Sequence, residues 1–180
     1  DTLSLDDAPR RFQTTAPDLN PGQRNAVAQI GATLGGFATT LLEGITGSGK
    51  TEVYLALMQQ VLARGEQVLV LVPEIGLTPQ TLARFRERLA APVLAWHSGL
   101  ADGARARAFE RARADTPLVV IGTRSAVFAP LPKLGLIIID EEHDASFKQH
   151  EGFRYHARDV ALVRAKHGDI AVVLGSATPA

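Results

Sequence analysis

Short aliphatic runs alternate with amphipathic segments along most of this chain. The aliphatic runs lie at residues 38–42, 67–72, 93–96, 118–121, 136–140 and 170–174. Each is apolar at successive positions, which is typical of parallel strands that are buried on both faces. The segments between them that have helical spacing are residues 51–64, 78–89, 102–114 and 157–165. This alternation predicts a three-layer α/β fold, in which helices cover a mostly parallel central sheet.

A further helix is predicted before the first strand. Asn20 offers a side-chain oxygen that can cap free amides, and Pro21 fits the first helical turn. Val27 and Ile30 then give an apolar face, so we expect the helix to continue to about residue 33. Residues 1–19 contain acidic residues and prolines without a sustained period. They predict an extended linker from an upstream region, followed by one domain over residues 20–180.

Composition limits the classes of protein to which the chain can belong. It has 180 residues, of which 46% are hydrophobic and 21% charged, as in a single globular domain. Cysteine is absent, which excludes disulfides and thiolate zinc sites in this segment. No apolar run approaches the roughly 20 residues that span a bilayer, which predicts a soluble protein. The 19 basic and 19 acidic residues balance, so any contact with nucleic acid must come from local features.

Residues 44–51 read GITGSGKT and match the phosphate-binding loop pattern at every required position. The segment follows a predicted strand and opens a predicted helix, which makes a chance glycine-rich turn the weaker interpretation. Lys50 would reach the β- and γ-phosphates, and the Thr51 hydroxyl would bind magnesium. Backbone amides at the helix N-terminus would face the phosphates. The predicted nucleotide-binding residues of the loop are Gly44, Thr46, Gly47, Ser48, Gly49, Lys50 and Thr51.

Residues 136–143 read LIIIDEEH, an aliphatic strand that delivers carboxylates at its end. Asp140 is the predicted partner of magnesium. Glu141 is placed to orient or deprotonate the water that attacks the γ-phosphate, with Lys50 assisting from the phosphate side. Taken alone, the segment would also fit an acidic cap on an edge strand. Together with the upstream loop it predicts a nucleoside triphosphatase.

The DEEH sequence resembles motif II of the superfamily 2 helicases. Four other segments are similar to motifs of that superfamily and occur in the same order: NPGQ at 20–23, PEIGLTPQ at 73–80, GTRSA at 122–126 and GSATP at 175–179. In detail, residues 46–54, 96–100 and 140–149 resemble the bacterial PriA-type replication-restart DNA helicases. The resemblance covers residues 19–180. It implies the first RecA-like, ATP-binding motor lobe of a cytoplasmic 3′-to-5′ helicase that uses ATP and Mg²⁺.

The resemblance also implies roles for individual residues. Gln23 would contact the adenine edge, with a polar first-turn helix residue as the alternative. Thr123 and Arg124 would touch the backbone of single-stranded DNA, with a self-satisfied turn as the alternative. By the same resemblance, the residues of motifs II and III that would take part in DNA binding or coupling are His143, Ser176 and Thr178.

The segment FKQHEGFRYH at residues 147–156 interleaves aromatic with basic residues and lacks a helix or strand period. It is similar to the aromatic-rich loop of related DNA helicases. Bases would stack on Phe147, Phe153 or Tyr155. Lys148 and Arg154 would lie near the DNA backbone. Core anchors are an equally weighted alternative for the three aromatics.

Arginines also recur on the predicted helices, but they alternate with alanine and have acidic neighbours, which favours solvated helix faces over a DNA surface. These arginines are Arg84, Arg86, Arg88, Arg105, Arg107, Arg111 and Arg113. The five histidines lack metal-ligand spacing.

The resemblance implies partners outside this segment. They are a second motor lobe, single-stranded and forked DNA, primosome proteins and single-strand-binding proteins, with zinc only in parts of the longer protein absent from this chain. Because the second lobe supplies arginines to the γ-phosphate site, we expect the isolated lobe to be nearly inactive. Two alternatives stay open: a RecG-like or restriction-type translocase, and a nucleotide-binding scaffold that is inactive by itself.

Overall fold

Residues 18–44 and 49–177 are described by the structure, a computed structural model. Six parallel strands form its central sheet in the order β1-β8-β5-β2-β4-β3. Their bounds are β1 Ala38–Glu43, β2 Gln67–Leu71, β3 Val93–Trp96, β4 Val119–Gly122, β5 Leu134–Ile139 and β8 Ala171–Ser176. A short antiparallel hairpin joins β6 Lys148–Gln149 to β7 Tyr155–His156. All six predicted strands are present, with ends that differ by one or two residues.

Within the described residues, five α-helices cover the sheet. They are α1 Pro21–Gly31, α2 Lys50–Ala63, α3 Pro79–Arg88, α4 Asp102–Ala112 and α5 Ala157–Gly168. One apolar cluster joins α1, α2 and α3 to one face of the sheet. A second cluster joins α4 and α5 to the opposite face. The three-layer prediction is therefore confirmed.

Side-chain alternation along the central strands separates the two clusters. On β2, Val68 and Val70 belong to the first cluster, whereas Leu69 and Leu71 belong to the second. Every residue of β2 and of β4 is buried. The prediction of strands buried on both faces holds for these strands because helices lie above and below them.

Strand β1 is the exception, and the prediction of full burial is wrong there. It lies at the edge of the sheet, and its residues alternate between half-buried and exposed. Leu41 is 49% exposed. The sequence pattern did not distinguish this edge strand from the central strands. Its residues 38–42 read ATTLL, which lacks the alternation of polar and apolar positions that marks a half-exposed strand.

The hairpin of β6 and β7 was not predicted. Each of its strands has only two residues, which is too short for a period to be visible in the sequence. The N-terminal helix was predicted correctly: Asn20 and Gln23 form a reciprocal capping box at its start. The predicted linker falls mostly on residues 1–17, outside the described part of the chain. No described helix is long and apolar enough to cross a membrane.

Gly122, the last residue of β4, allows a close approach to β3. A Cβ atom there would overlap the Trp96 carbonyl oxygen and the Ala126 side chain. We expect Gly122→Ala to lower the free energy of unfolding by about 1–3 kcal/mol, because the backbone of β3 must move. Gly36→Ala is the control, since a Cβ added at Gly36 meets nothing within 4 Å. Urea denaturation of both variants measures the difference, and equal midpoints would contradict the close approach.

Candidate functional site

Three neighbouring strands bring their carboxyl ends to one edge of the sheet. Gly44 follows β1, Asp140 follows β5, and Ala177 follows β8, which lies between them. Backbone hydrogen bonds join these ends: the Gly44 N–H donates to the Ser176 carbonyl (3.0 Å), and the Glu142 N–H donates to the Gly175 carbonyl (2.9 Å). Gly44, the first residue of the predicted phosphate-binding loop, and the acidic motif are therefore both bonded to the end of β8, as expected for a ligand site beyond the strand ends.

Lys50 and Glu141 lie on opposite sides of this site and face each other. The Lys50 ammonium donates to the Gly44 carbonyl at 2.8 Å and lies 3.3 Å from Glu141 Oε1. The Lys50 side chain is only 10% exposed. The Ala177 N–H donates to the other Glu141 carboxylate oxygen at 3.3 Å. A largely buried cation at the start of a helix, with a carboxylate beside it, suits an anionic ligand that also needs a base.

Gly49 precedes α2 in the left-handed region, with φ of 82°. A Cβ at this position would overlap the Gln23 amide nitrogen. Glycine is thus required both by the backbone conformation and by the approach of another side chain. The N-cap of helix α2 is Gly49, which makes no side-chain cap hydrogen bond. Thr46, Gly47 and Ser48 of the predicted loop lie outside the described residues.

Gln23 makes structural contacts at both ends of its amide. Its Nε2 donates to the Gly49 carbonyl at 3.2 Å, and its Oε1 accepts from the Asn20 N–H at 2.8 Å. The side chain therefore ties α1 to the phosphate-binding loop. The alternative of a first-turn helix residue describes this arrangement, and the adenine contact stays a prediction.

Asp140 receives a hydrogen bond from a buried tyrosine. The Tyr54 hydroxyl donates to Asp140 Oδ1 at 2.9 Å. Burial raises the pKa of Asp140, and the nearby Glu141 charge adds to the rise; the hydrogen bond from Tyr54 and the charge of Lys50 oppose it. Burial likewise raises the pKa of Tyr54, so its hydroxyl remains a donor. Nothing in the sequence motifs singled out this contact.

The donor set fits magnesium held jointly with phosphate. Among the described residues, no group of three or more His, Cys, Asp or Glu side chains could hold a metal ion by itself. Magnesium in phosphate sites commonly uses one or two protein oxygens with substrate phosphates and water. Asp140 at the end of β5 and Thr51 in the first turn of α2 are suitable donors.

The two glutamates of the acidic motif have different surroundings. Glu141 adopts a left-handed backbone conformation with φ of 48°, which is uncommon for a residue other than glycine. His143 Nε2 lies 3.9 Å from its carboxylate. Glu142 turns away and pairs with Arg158 of α5 at 2.8 Å. Of the two glutamates, Glu141 faces Lys50, and its role as the water-orienting carboxylate stays a prediction.

Thr123 and Arg124 are more enclosed than the prediction assumed. Thr123 is buried, and its backbone N–H donates to the Trp96 carbonyl. Arg124 Nη1 donates to the carbonyls of Ser146 and Lys148, each at 3.2 Å. Arg124 thus holds the start of the β6–β7 hairpin. A guanidinium has five N–H donors, so a phosphate contact by the same side chain remains a prediction.

The three predicted stacking aromatics separate into two groups. Phe147 is fully buried in the second apolar cluster, so it is a core anchor. The prediction that bases could stack on Phe147 is wrong, because its ring is not accessible. Phe153 is 79% exposed, and its ring centroid lies 6.2 Å from that of Tyr155. Phe128, which sequence reasoning missed, packs edge-on against Tyr155 at 5.1 Å and is 54% exposed. We call Phe128, Phe153 and Tyr155 the aromatic cluster.

A basic pocket of about 520 Å³ lies beside the aromatic cluster. The hairpin residues that line it are Lys148, Gln149, His150, Arg154, Tyr155 and His156. Lys148 and Arg154 are exposed. The predicted basic and aromatic residues of this segment, Phe147 excepted, therefore share one surface.

Several of the helix arginines have contacts within the lobe. Arg84 and Arg88 of α3 both pair with Glu52 of α2, each at 2.8 Å. Arg113 pairs with Glu110 on α4. The guanidinium of Arg105 donates to the carbonyls of Ser98 and Leu100. Three of these arginines therefore bridge neighbouring segments, and Arg113 forms an exposed pair within its own helix end.

The sequence profile of the DEAD/DEAH box helicases matches residues 20–180. The chain belongs to this family. It is 52% identical over 161 residues to the replication restart protein PriA of Haemophilus influenzae, covering 89% of the chain and 22% of that protein. It is 48% identical over 173 residues to PriA of Bacillus subtilis, covering 94% and 22%. The chain therefore spans about a fifth of the length of these curated relatives.

Solved structures share the fold of this DEAD/DEAH box domain. RecG bound to a three-way DNA junction matches with a TM-score of 0.66 and 24% identity, over 91% of the chain and 21% of RecG. The helicase MrfA bound to DNA matches with a TM-score of 0.65 and 20% identity, over 90% and 23%. At these identities the likeness shows the RecA-like fold alone.

We expect Lys50→Ala to abolish or strongly weaken ATP binding, because Lys50 is the cation at the start of α2 that faces Glu141. Without the ammonium, the Glu141 carboxylate has lost its cationic partner and repels the phosphates. Titration with a fluorescent ATP analogue measures the affinity. Arg84→Ala, which removes an exposed cation from α3, is the control and should bind as the wild type does. Unchanged affinity in Lys50→Ala would show that the phosphate-loop assignment is wrong.

Proposed function

We propose that this chain is the ATP-binding motor lobe of an ATP-dependent DNA helicase of the PriA type. The observation that carries the proposal is the ion pair between the Lys50 ammonium and Glu141 Oε1, 3.3 Å apart. It lies at the edge of the sheet where β1, β8 and β5 end. It supports ATP hydrolysis in which Lys50 holds phosphate and Glu141 orients the attacking water. Magnesium held by Asp140 and Thr51 would offset charge on the phosphates.

Replication restart is the cellular role that we propose for the longer protein. Identity of 48–52% to two PriA proteins over most of the chain supports this role over that of a RecG-like translocase, since RecG shares 24% identity. By the same relationship we propose 3′-to-5′ movement on single-stranded and forked DNA. Primosome and single-strand-binding proteins would be its partners.

A DNA-binding surface on the hairpin is the second part of the proposal. The aromatic cluster offers ring faces for unstacked bases, and Lys148 and Arg154 offer charge to the backbone. Stacking on an aromatic ring is worth roughly 1–3 kcal/mol per base and tolerates any sequence. This combination suits a motor that must move along DNA regardless of its sequence.

The attachment of the hairpin suggests how DNA would influence hydrolysis. Arg124 bonds to the carbonyls of Ser146 and Lys148, at the start of the hairpin. Arg158 lies just after the end of the hairpin, and its ion pair with Glu142 joins that end to the acidic motif. Glu142 is the residue after Glu141, so a displacement of the hairpin acts on the backbone next to the proposed base. We infer that DNA binding and the water-orienting carboxylate are coupled through these contacts.

A second motor lobe would complete the γ-phosphate site. Arginine supplied from a facing domain can raise phosphoryl-transfer rates by roughly a thousandfold or more. In the described part of the chain, two arginines close to the acidic motif or the hairpin have other contacts: Arg124 donates to the carbonyls of Ser146 and Lys148, and Arg158 pairs with Glu142. Negligible turnover by the isolated lobe remains our expectation, and kinetic tests therefore belong in the longer protein.

We expect Glu141→Gln to keep ATP affinity and to lose turnover by roughly a hundredfold or more, the scale for a positioned base. Glu142→Gln is the matched control. Because Glu142 pairs with Arg158, its substitution should lower the melting temperature and leave most of the unstimulated turnover. Steady-state ATPase rates of the longer protein separate the two. If Glu142→Gln loses more turnover than Glu141→Gln, the assignment of the base must be reversed.

Substitution of Phe153 tests the hairpin surface. Phe153 is 79% exposed, so Phe153→Ala should leave the fold and the unstimulated ATPase unchanged while reducing stimulation by single-stranded DNA several-fold. Phe147→Ala is the control for core packing and should lower the free energy of unfolding by about 3–5 kcal/mol. DNA-stimulated and unstimulated rates, measured beside melting curves, give the answer. Full stimulation in Phe153→Ala would exclude this ring as a stacking platform.

A further inference from the structure

Tyr54 lies on the buried face of α2 and its hydroxyl reaches the acidic motif. Tyr54 is only 2% exposed, and its hydroxyl donates a hydrogen bond of 2.9 Å to Asp140 Oδ1. A tyrosine hydroxyl buried in an apolar cluster requires a partner, and here the partner is a carboxylate. Such charge-assisted hydrogen bonds are stronger than neutral ones.

The hydrogen bond between Tyr54 and Asp140 also requires a glycine at position 175. A Cβ atom at Gly175 of β8 would overlap the Tyr54 hydroxyl and lie 3.0 Å from Asp140 Oδ1. The backbone of Gly175 is fixed, because its carbonyl accepts from the Glu142 N–H at 2.9 Å. Three segments that are distant in sequence therefore meet at one hydroxyl group: α2, the acidic turn after β5, and β8.

We propose that Tyr54 is a positioning residue for the magnesium carboxylate. The proposal rests on the function proposed above. By donating to Oδ1, the hydroxyl fixes the rotation of the Asp140 carboxylate beside α2, the helix whose first turn contains Thr51. Partners of this kind set the orientation of a ligating group, and their loss typically weakens metal binding 10–100-fold. Gly175 acts with Tyr54 by leaving the hydroxyl its place.

Tyr54→Phe removes the hydroxyl and keeps the ring in the core. The measurement is a magnesium titration of the 180-residue chain, in which a fluorescent ATP analogue reports binding at fixed nucleotide. We expect the Mg²⁺ concentration at half-maximal binding to rise roughly tenfold or more. Binding of the nucleotide in the presence of EDTA should stay as in the wild type, because Lys50 and the loop are unchanged.

Val61→Ala controls for loss of stability alone. Val61 is fully buried on the same helix and belongs to the same apolar cluster as Tyr54. Its side chain is aliphatic and cannot donate a hydrogen bond to Asp140. We expect it to lower the melting temperature without changing the magnesium midpoint. Asp140→Asn is the positive control and should remove most of the magnesium dependence.

The close approach of Gly175 provides a second test that does not depend on the stability of one variant. Gly175→Ala should raise the magnesium midpoint strongly when Tyr54 is present. The same change should have a smaller effect in combination with Tyr54→Phe, because the overlapping oxygen is gone. Such non-additivity measures the coupling of two groups in contact.

The outcomes separate the two proposals. If the wild-type chain binds the analogue with a magnesium dependence that Tyr54→Phe leaves within twofold, Tyr54 has no positioning role and the proposed function stands. Additive effects of the two substitutions would likewise overturn the link through Gly175. A wild-type chain whose nucleotide binding ignores both magnesium and Lys50→Ala would contradict the proposed function and this inference together.

Discussion

The acidic turn after β5 is held in place by hydrogen bonds to the strands on both sides of it. The Asp140 N–H donates to the carbonyl of Leu71 in β2, and the Glu142 N–H donates to the carbonyl of Gly175 in β8. Between these two anchors, Glu141 takes a left-handed conformation that few residues other than glycine adopt. The anchors therefore place Asp140 beside Tyr54 and Glu141 beside Lys50, whereas Glu142 faces Arg158 of α5. Everything proposed for the site depends on this division.

Strain at Glu141 agrees with a functional role for the turn. Backbone conformations of this kind cost on the order of 1 kcal/mol or more and persist where the surroundings fix them. The carboxylate gains contacts in return, with Lys50 on one side and the Ala177 N–H on the other. A ligand that draws Lys50 toward its phosphates would release one of these contacts and leave Glu141 bonded to the Ala177 N–H.

Sequence alone predicted the parts of the site that depend on local spacing. Lys50 and Glu141 were found because a loop between a strand and a helix, and a carboxylate after a strand, have recognisable patterns. Phe147 and Phe153 could not be separated in this way, since both are aromatic residues in a segment without a period. Which of them is buried depends on packing against α5 and the sheet. Tyr54 and Gly175 lie far apart in the chain, so their contact appears only in three dimensions.

Strand order has a consequence for how the site is made during synthesis. Strand β1, which leads into the phosphate-binding loop, lies at the edge of the sheet and pairs there with β8, Ala38 opposite Ala171. More than a hundred residues must leave the ribosome before β1 acquires this neighbour, and contacts of such long range form slowly. Strands β2 to β5 can pair with one another earlier. A nascent chain would therefore carry a largely assembled sheet with no nucleotide pocket, and ATP could bind, and so stabilise the lobe, only after β8 has inserted.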